Sequence, residues 1–158
     1  MKYLDSSEQD PHLLAQSHRN YQLYLSSIED KLPPGAKAFA TAPWHYDFGD
    51  SRCPHDAWVE SLRVWEHASG TRKEVRTTNI DVSLFGAYHD GVIRFEYRGV
   101  RRYSLAGQRS SGHGDWLIDE VRLSDSGLVV HEVEFATGAL WKIECTDFVY
   151  AWIPGAIQ

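Results

Sequence analysis

The chain has 158 residues, of which 42% are hydrophobic and 24% are charged, proportions that are ordinary for a globular protein with one buried core. Its formal net charge of −6 at pH 7 argues against a nucleic-acid-binding protein, which would carry clustered Lys and Arg. The composition therefore favours a single acidic domain over residues 1–158 whose partner is not nucleic acid.

The N-terminal segment and the two cysteines bear on the compartment. MKYLDSSEQD has no apolar run, and no stretch of the chain approaches 18 consecutive apolar residues. A secretory signal and a membrane partner are therefore not expected. Cys53 and Cys145 form no CxxC pair, and two isolated thiols are typical of a reducing compartment. The sequence predicts a cytoplasmic protein.

A long amphipathic helix is predicted near the N-terminus. Asp10-Pro11 combines an N-cap residue with proline at the first helical position. Pro33-Pro34-Gly35 ends the pattern, because proline cannot continue the helical hydrogen bonds. The pattern therefore predicts a helix over about residues 11–32, with a stripe at spacings of three and four formed by Leu14, His18, Tyr21, Leu25, Ile28 and Leu32.

The remainder of the chain is predicted to be mostly β-structure. Residues 36–54 are irregular, with AKAFATAP (36–43) as a short strand and WHYDFGDSRCP (44–54) as an ordered loop. Residues 55–153 are β-rich and contain no linker or repeat. We expect an α+β fold in which the N-terminal helix packs on a largely meandering antiparallel sheet of six to eight strands, with curvature towards a half-barrel.

Short loops allow three hairpins to be placed in register. Asp90-Gly91 is a strong two-residue turn signal, and it would pair Leu84 with Tyr97. Two later loops have three residues and end in glycine, at 125–127 and 136–138. Together these two place His131 between two apolar residues of the neighbouring strands, Val121 and Ile143.

The same two registers set an ionisable pair on an inward face. Asp119 becomes the diagonal neighbour of His131, within reach of a side chain of that length. A buried carboxylate needs hydrogen-bond donors, and an imidazole N–H is a suitable one. We predict a core pair; the alternative is a pocket in which Asp119 orients His131 as a catalytic base or ligand-binding group.

A second cluster of chemically competent residues lies in the irregular segment. His45, Cys53, His55 and Asp56 are all potential metal ligands. Cys-x-His is not an established zinc spacing, however, and no second ligand pair is evident. The alternative is a loop that leads into the strand AWVESLRVW, with Asp56 making a local turn bond.

Aromatic residues form a third group of candidates. Tyr150 and Trp152 share one face of the last strand, and Trp141 lies on an inward face. Core packing explains them, and an aromatic binding groove is the alternative. His113 lies in GQRSSGHGDW (107–116), a segment of small residues that has the composition of a binding loop or lid.

No catalytic or cofactor motif is present. A nucleophile elbow, a Walker A loop and a dinucleotide fingerprint are all absent, so no cofactor is expected. The series PHDAWVESLRV, GVIRFEYRGVRRYSL, DWLIDEVRL and VVHEVEFATGALWKIECTDFVYAW, over about residues 54–153, resembles small β-rich bacterial proteins. Some of these are immunity proteins of polymorphic toxin systems. The resemblance carries no catalytic residue to this chain.

The function expected from these observations is non-enzymatic. Negative charge, acidic strand faces and the absence of a catalytic motif favour an interaction protein that binds a protein partner such as a toxin. Two other classes stay open at this point. One is a small enzyme or ligand-binding domain built on His131 and Asp119, and the other is a metal-binding protein.

Overall fold

A computed structural model describes residues 1–107 and 112–155. Helix α1 spans Pro11–Ile28, and a 3-10 turn over Glu29–Lys31 extends it. The Asp10 side chain caps α1 by accepting a hydrogen bond from the His12 amide at 2.8 Å. Among the described residues, no helix combines the length and the apolar character that crossing a bilayer requires.

The short strand predicted over residues 36–43 is wrong, because this segment contains a second helix, α2, over Pro34–Ala40. Pro34 occupies the first turn, where its missing N–H has no cost. The carboxylate of Asp147 accepts hydrogen bonds from the amides of Gly35 (3.1 Å) and Ala36 (2.9 Å). The helix thus depends on a residue more than 100 positions along the chain, which a local pattern does not reveal.

In the described part of the chain, eight strands form two four-stranded antiparallel sheets, so the α+β prediction is confirmed, although the strands divide between two sheets. The sheets do not close into a barrel. Sheet A has the order β1-β2-β3-β8 and sheet B the order β4-β7-β6-β5. The strands are β1 (Trp58–Ser69), β2 (Val75–Phe85), β3 (Gly91–Val100), β4 (Arg102–Leu105), β5 (Trp116–Leu123), β6 (Val129–Phe135), β7 (Leu140–Cys145) and β8 (Asp147–Pro154).

Both hairpins with glycine-terminated loops are confirmed. Val121 pairs with His131 across β5 and β6, and His131 pairs with Ile143 across β6 and β7. Glu132 and Lys142 also lie opposite each other across β6 and β7. A three-residue loop leaves little freedom in register, which is why the pattern was sufficient.

The register predicted for the Asp90-Gly91 hairpin is wrong. Leu84 pairs with Ile93 rather than with Tyr97, because residues 86–90 form a longer loop between β2 and β3. His89 adopts a positive φ of 56° in that loop, and its amide donates to the Gly86 carbonyl at 2.9 Å. The shift is an even number of residues, so the inward faces of both strands are still those expected.

The core lies between the two sheets and is covered on one side by the helices. Phe95 of β3 stacks on Trp116 of β5 with ring centroids 5.5 Å apart, which joins sheet A to sheet B. Phe39 of α2 packs edge-on against Phe95 at 5.1 Å. The helix α1 contributes Tyr21, Leu25 and Ile28, all buried. The two sheets and both helices therefore share one hydrophobic cluster.

Candidate functional site

The structure places the His131–Asp119 pair inside the core. His131 Nε2 lies 3.1 Å from Asp119 Oδ2, and both residues are buried. The ring of His131 stacks on Phe148 of β8 with centroids 5.0 Å apart. The pair is held by the β5–β6 register, which sets Val121 opposite His131.

Three further side chains complete the polar cluster, and sequence reasoning did not assign them to it. His45 Nε2 approaches the same oxygen, Asp119 Oδ2, at 2.9 Å. Trp116 Nε1 donates to Asp119 Oδ1 at 3.1 Å, and the Tyr97 hydroxyl donates to His131 Nδ1 at 2.8 Å. The five residues Tyr97, His131, Asp119, His45 and Trp116 form what we call the buried network.

The hydrogen bonds indicate where one proton lies on each imidazole ring of the buried network. Because Asp119 Oδ2 accepts from both imidazoles, each ring carries a proton on Nε2. Nδ1 of His131 is then the acceptor that the Tyr97 hydroxyl needs. Nδ1 of His45 has no hydrogen-bond partner in the part of the chain that the structure describes.

Asp119 remains ionised despite its burial. Desolvation alone would raise the pKa of Asp119, but the charge of His45 and the hydrogen bonds from His131 and His45 outweigh it and lower this pKa below the ordinary value of 3.8. Burial also raises the pKa of the Tyr97 hydroxyl well above 10. The tyrosine therefore stays neutral and serves as a donor.

The buried network has no access for a substrate. His131 has no exposed surface and Asp119 is 2% exposed. Five surface cavities among the described residues are lined by other side chains. A base or ligand-binding group must reach its substrate within hydrogen-bond distance, and this geometry leaves no space for one. The arrangement supports a structural role.

The four metal candidates do not converge. His45 Nε2 is directed at Asp119, while Cys53 Sγ donates to the His45 carbonyl at 3.0 Å. His55 Nδ1 bonds the Leu117 carbonyl at 2.8 Å, and its Nε2 is 3.5 Å from Asp56. Within residues 1–107 and 112–155 no group of three or more His, Cys, Asp or Glu side chains is arranged to hold a metal ion.

The aromatic candidates lie in two separate contacts rather than in one groove. Trp141 is buried against Phe135, and His113 meets its ring edge-on at a centroid distance of 4.8 Å. Tyr150 of β8 packs on Trp44 at 4.5 Å. Trp152 is partly buried against the core cluster. Residues 108–111 of the predicted binding loop lie outside the described residues.

The free edge of β5 is covered by side chains. The Tyr21 hydroxyl accepts from the Val121 amide at 2.6 Å and donates to the Val121 carbonyl at 3.2 Å. Tyr24 accepts from the Leu123 amide at 3.0 Å, and Tyr46 donates to the Asp119 carbonyl at 2.8 Å. These hydroxyls replace the partner strand that an edge lacks. The edge is closed to another chain.

Two more edges are protected in other ways. The start of β8 is covered by α2, whose Gly35 lies so close that an added Cβ would be 2.0 Å from the Phe148 carbonyl oxygen. β4 has only four residues, Arg102–Leu105. Short or covered edge strands are the usual protection against unwanted strand pairing.

β1 is the exception among the edges, because it is long and open. It has 12 residues and pairs with β2 on one side. On its other side, the described residues form a single bridge with β1, between Trp58 and Asp115. Among the described residues, no side chain or loop outside β2 hydrogen-bonds to the backbone of residues 59–69.

One face of β1 carries apolar side chains that remain exposed to solvent. Leu62 and Val64 pair with Val82 and Ile80 of β2, whose side chains are buried. Leu62 and Val64 nevertheless remain 37% and 42% exposed, because the core layer does not extend beneath β1. Open backbone groups and an apolar face thus lie together on one strand, which is the combination found at strand-pairing sites.

No known protein family, curated protein or solved structure matches this chain. The site must therefore be interpreted from its own geometry.

Proposed function

We propose that this chain is a non-enzymatic cytoplasmic protein that binds a protein partner by strand addition to β1, and that it acts as an immunity-type inhibitor of a toxin. The observation that supports the proposal is the contrast between edges. β5 and the start of β8 are covered and β4 is short, whereas in the described part of the chain the long β1 edge is open over residues 59–69.

The partner strand has a definite chemistry. Backbone hydrogen bonds to β1 would supply affinity, and alternate side chains would supply specificity. On the face of Leu62 and Val64, the partner strand needs apolar residues. On the opposite face, the exposed guanidinium of Arg63 favours an acidic residue.

Binding through β1 can be tested with lysine substitutions, since a lysine on an edge strand opposes pairing. Leu62→Lys and Val64→Lys should each abolish capture of a specific protein from a lysate of the organism that encodes the chain. Leu23→Lys adds the same charge to an apolar residue of α1 that is 72% exposed, and it should leave capture unchanged. Capture that survives both β1 substitutions would contradict the proposal.

Inhibition of a toxin needs its own test. The captured protein, or the product of the neighbouring gene, should arrest growth when expressed alone, and co-expression of this chain should restore growth. Restoration should fail with Val64→Lys and persist with Leu23→Lys. A captured partner without toxicity would leave β1 as a binding edge and overturn the immunity role.

A further inference from the structure

A basic cavity lies on the outer face of sheet B, and its lining contains no residue of the buried network or of β1. Its volume is about 530 Å³, within the range of small-molecule sites. Four cationic residues line it, namely Lys2, Arg102, Arg122 and Lys142, against two carboxylates, Asp125 and Glu144. The lining thus has a positive balance in a chain whose net charge is −6.

The strand registers explain how these cations meet. Arg102 of β4 is opposite Glu144 of β7, and Glu144 is opposite Val130 of β6. Lys142 lies one pair along on the same face, opposite Ser104. The buried Val130 forms an apolar floor between the charged side chains.

Two carboxylates beside the cavity, those of Glu120 and Glu132, are already engaged. Glu120 is fully buried and accepts hydrogen bonds from the amides of Lys2 (2.9 Å) and Tyr3 (2.6 Å). Arg122 is held by Glu120 at 3.0 Å and by Glu132. Arg122 is therefore fixed in place, and the carboxylates around it have little capacity left for the other cations.

Arg102 and Lys142 are the available cations. Both are exposed, and neither forms an ion pair within the described part of the chain. A guanidinium binds a phosphate through two parallel N–H bonds, and an ammonium adds a point charge. Ser104 and Ser124 bring hydroxyl donors to the same lining.

We propose that this cavity binds a small organic phosphate ester. Arg102 and Lys142 hold the phosphate, and the carbon portion of the ligand lies on Val130. The site is independent of partner binding at β1. Phosphate recognition here does not depend on a helix N-terminus or a glycine-rich loop, which explains why no phosphate motif is visible in the sequence.

Phenyl phosphate is the probe that tests the proposal, with binding followed by shifts of backbone amide resonances and by calorimetry. We expect a Kd on the order of 1 mM that weakens with added salt, with the largest amide shifts in residues 102–104, 130 and 142. Arg102→Gln and Lys142→Gln should each weaken binding about tenfold or more. Arg94→Gln removes an exposed strand arginine from the other sheet and should have no effect.

Phenol and inorganic phosphate show which part of phenyl phosphate the cavity binds. Phenol should not bind, because it lacks the anion, and inorganic phosphate should bind about tenfold more weakly than phenyl phosphate, because it lacks the ring. Equal binding of inorganic phosphate would overturn the assignment to an ester. Binding of phenyl phosphate that is unchanged in both Arg102→Gln and Lys142→Gln, or its absence in the wild type, would overturn the site itself.

Discussion

Asp119 joins several buried polar groups through one residue. Its two carboxylate oxygens accept hydrogen bonds from His45, His131 and Trp116, while its backbone carbonyl accepts from Tyr46. Each donor was removed from water when the core formed. The free energy of unfolding therefore depends on this carboxylate remaining in place and ionised.

Replacing Asp119 by Asn should destabilise the protein by about 3 kcal/mol. The amide keeps the shape but presents an NH2 group to donors, so at least one buried donor loses its acceptor. The melting temperature should fall by roughly 6–12 °C in a thermal scan. Asp125→Asn, in the exposed β5–β6 turn, is the matched control and should change stability by less than about 0.5 kcal/mol. Equal effects of the two substitutions would contradict a role for the buried network.

The ionised carboxylate of Asp119 should make the free energy of unfolding depend on pH in the acid range. Its pKa is lower in the folded protein than the ordinary value of 3.8, so the ionised form stabilises the fold above that pH. Stability is lost as the pH falls below about 4 towards the folded pKa, by up to about 1.4 kcal/mol per pH unit. Urea unfolding at pH 6, 4.5, 3.5 and 2.5 should show the gap between wild type and Asp119→Asn narrowing only in the acid range. A gap of constant size would show that Asp119 titrates normally.

Two kinds of edge strand distinguish the ends of these sheets. In β5, tyrosine hydroxyls from α1 and from the loop after α2 satisfy the peptide groups that a neighbouring strand would otherwise bind. In β1, nothing in the described chain has that role over residues 59–69. Because an uncovered edge strand promotes unwanted strand pairing, we infer that the open edge of β1 serves to bind a partner.

Tyr21→Phe tests the cover on β5 with the loss of one oxygen atom. The buried amide and carbonyl of Val121 would both lose their partner, at a cost of about 2 kcal/mol. Amide hydrogen exchange at Val121 should accelerate more than at the interior strand β6. Tyr88→Phe removes a hydroxyl that binds the Phe48 carbonyl at an exposed site, and it should cost less than about 0.5 kcal/mol. Unchanged exchange at Val121 would mean that the hydroxyl does not protect this edge.

At the scale of the whole molecule, what the sequence could predict depended on the length of the connections. The His131–Asp119 pair was predictable because two three-residue loops fix the register of its strands. The register predicted from Asp90-Gly91 was wrong because the loop between β2 and β3 is longer than two residues. His45 lies 74 residues from Asp119, and no local pattern joins them. Helix α2 needs Asp147 from the far end of the chain. β1 is exposed because the hydrophobic core does not extend beneath it. The extent of the core is set by how the two sheets pack, so a local sequence pattern does not predict it.

The last prediction concerns the cooperativity of that assembly. Cys53 precedes β1, and Cys145 ends β7 in the other sheet; both are buried, and burial raises the pKa of each thiol to about 12. Neither thiolate should therefore form in the native protein at pH 8, so a thiol reagent should label neither cysteine. Because the two sheets share one core, unfolding should expose both thiols together.

Labelling with a thiol reagent across a urea series, with each cysteine followed by peptide mass spectrometry, measures this directly. A single-domain chain should give the same midpoint for Cys53 and Cys145, and that midpoint should match the loss of circular dichroism. If Cys53 is labelled at lower urea, the loop that carries His45 opens before sheet B and the buried network breaks early. Coincident midpoints would instead show that the two sheets, both helices and the buried network unfold as one unit.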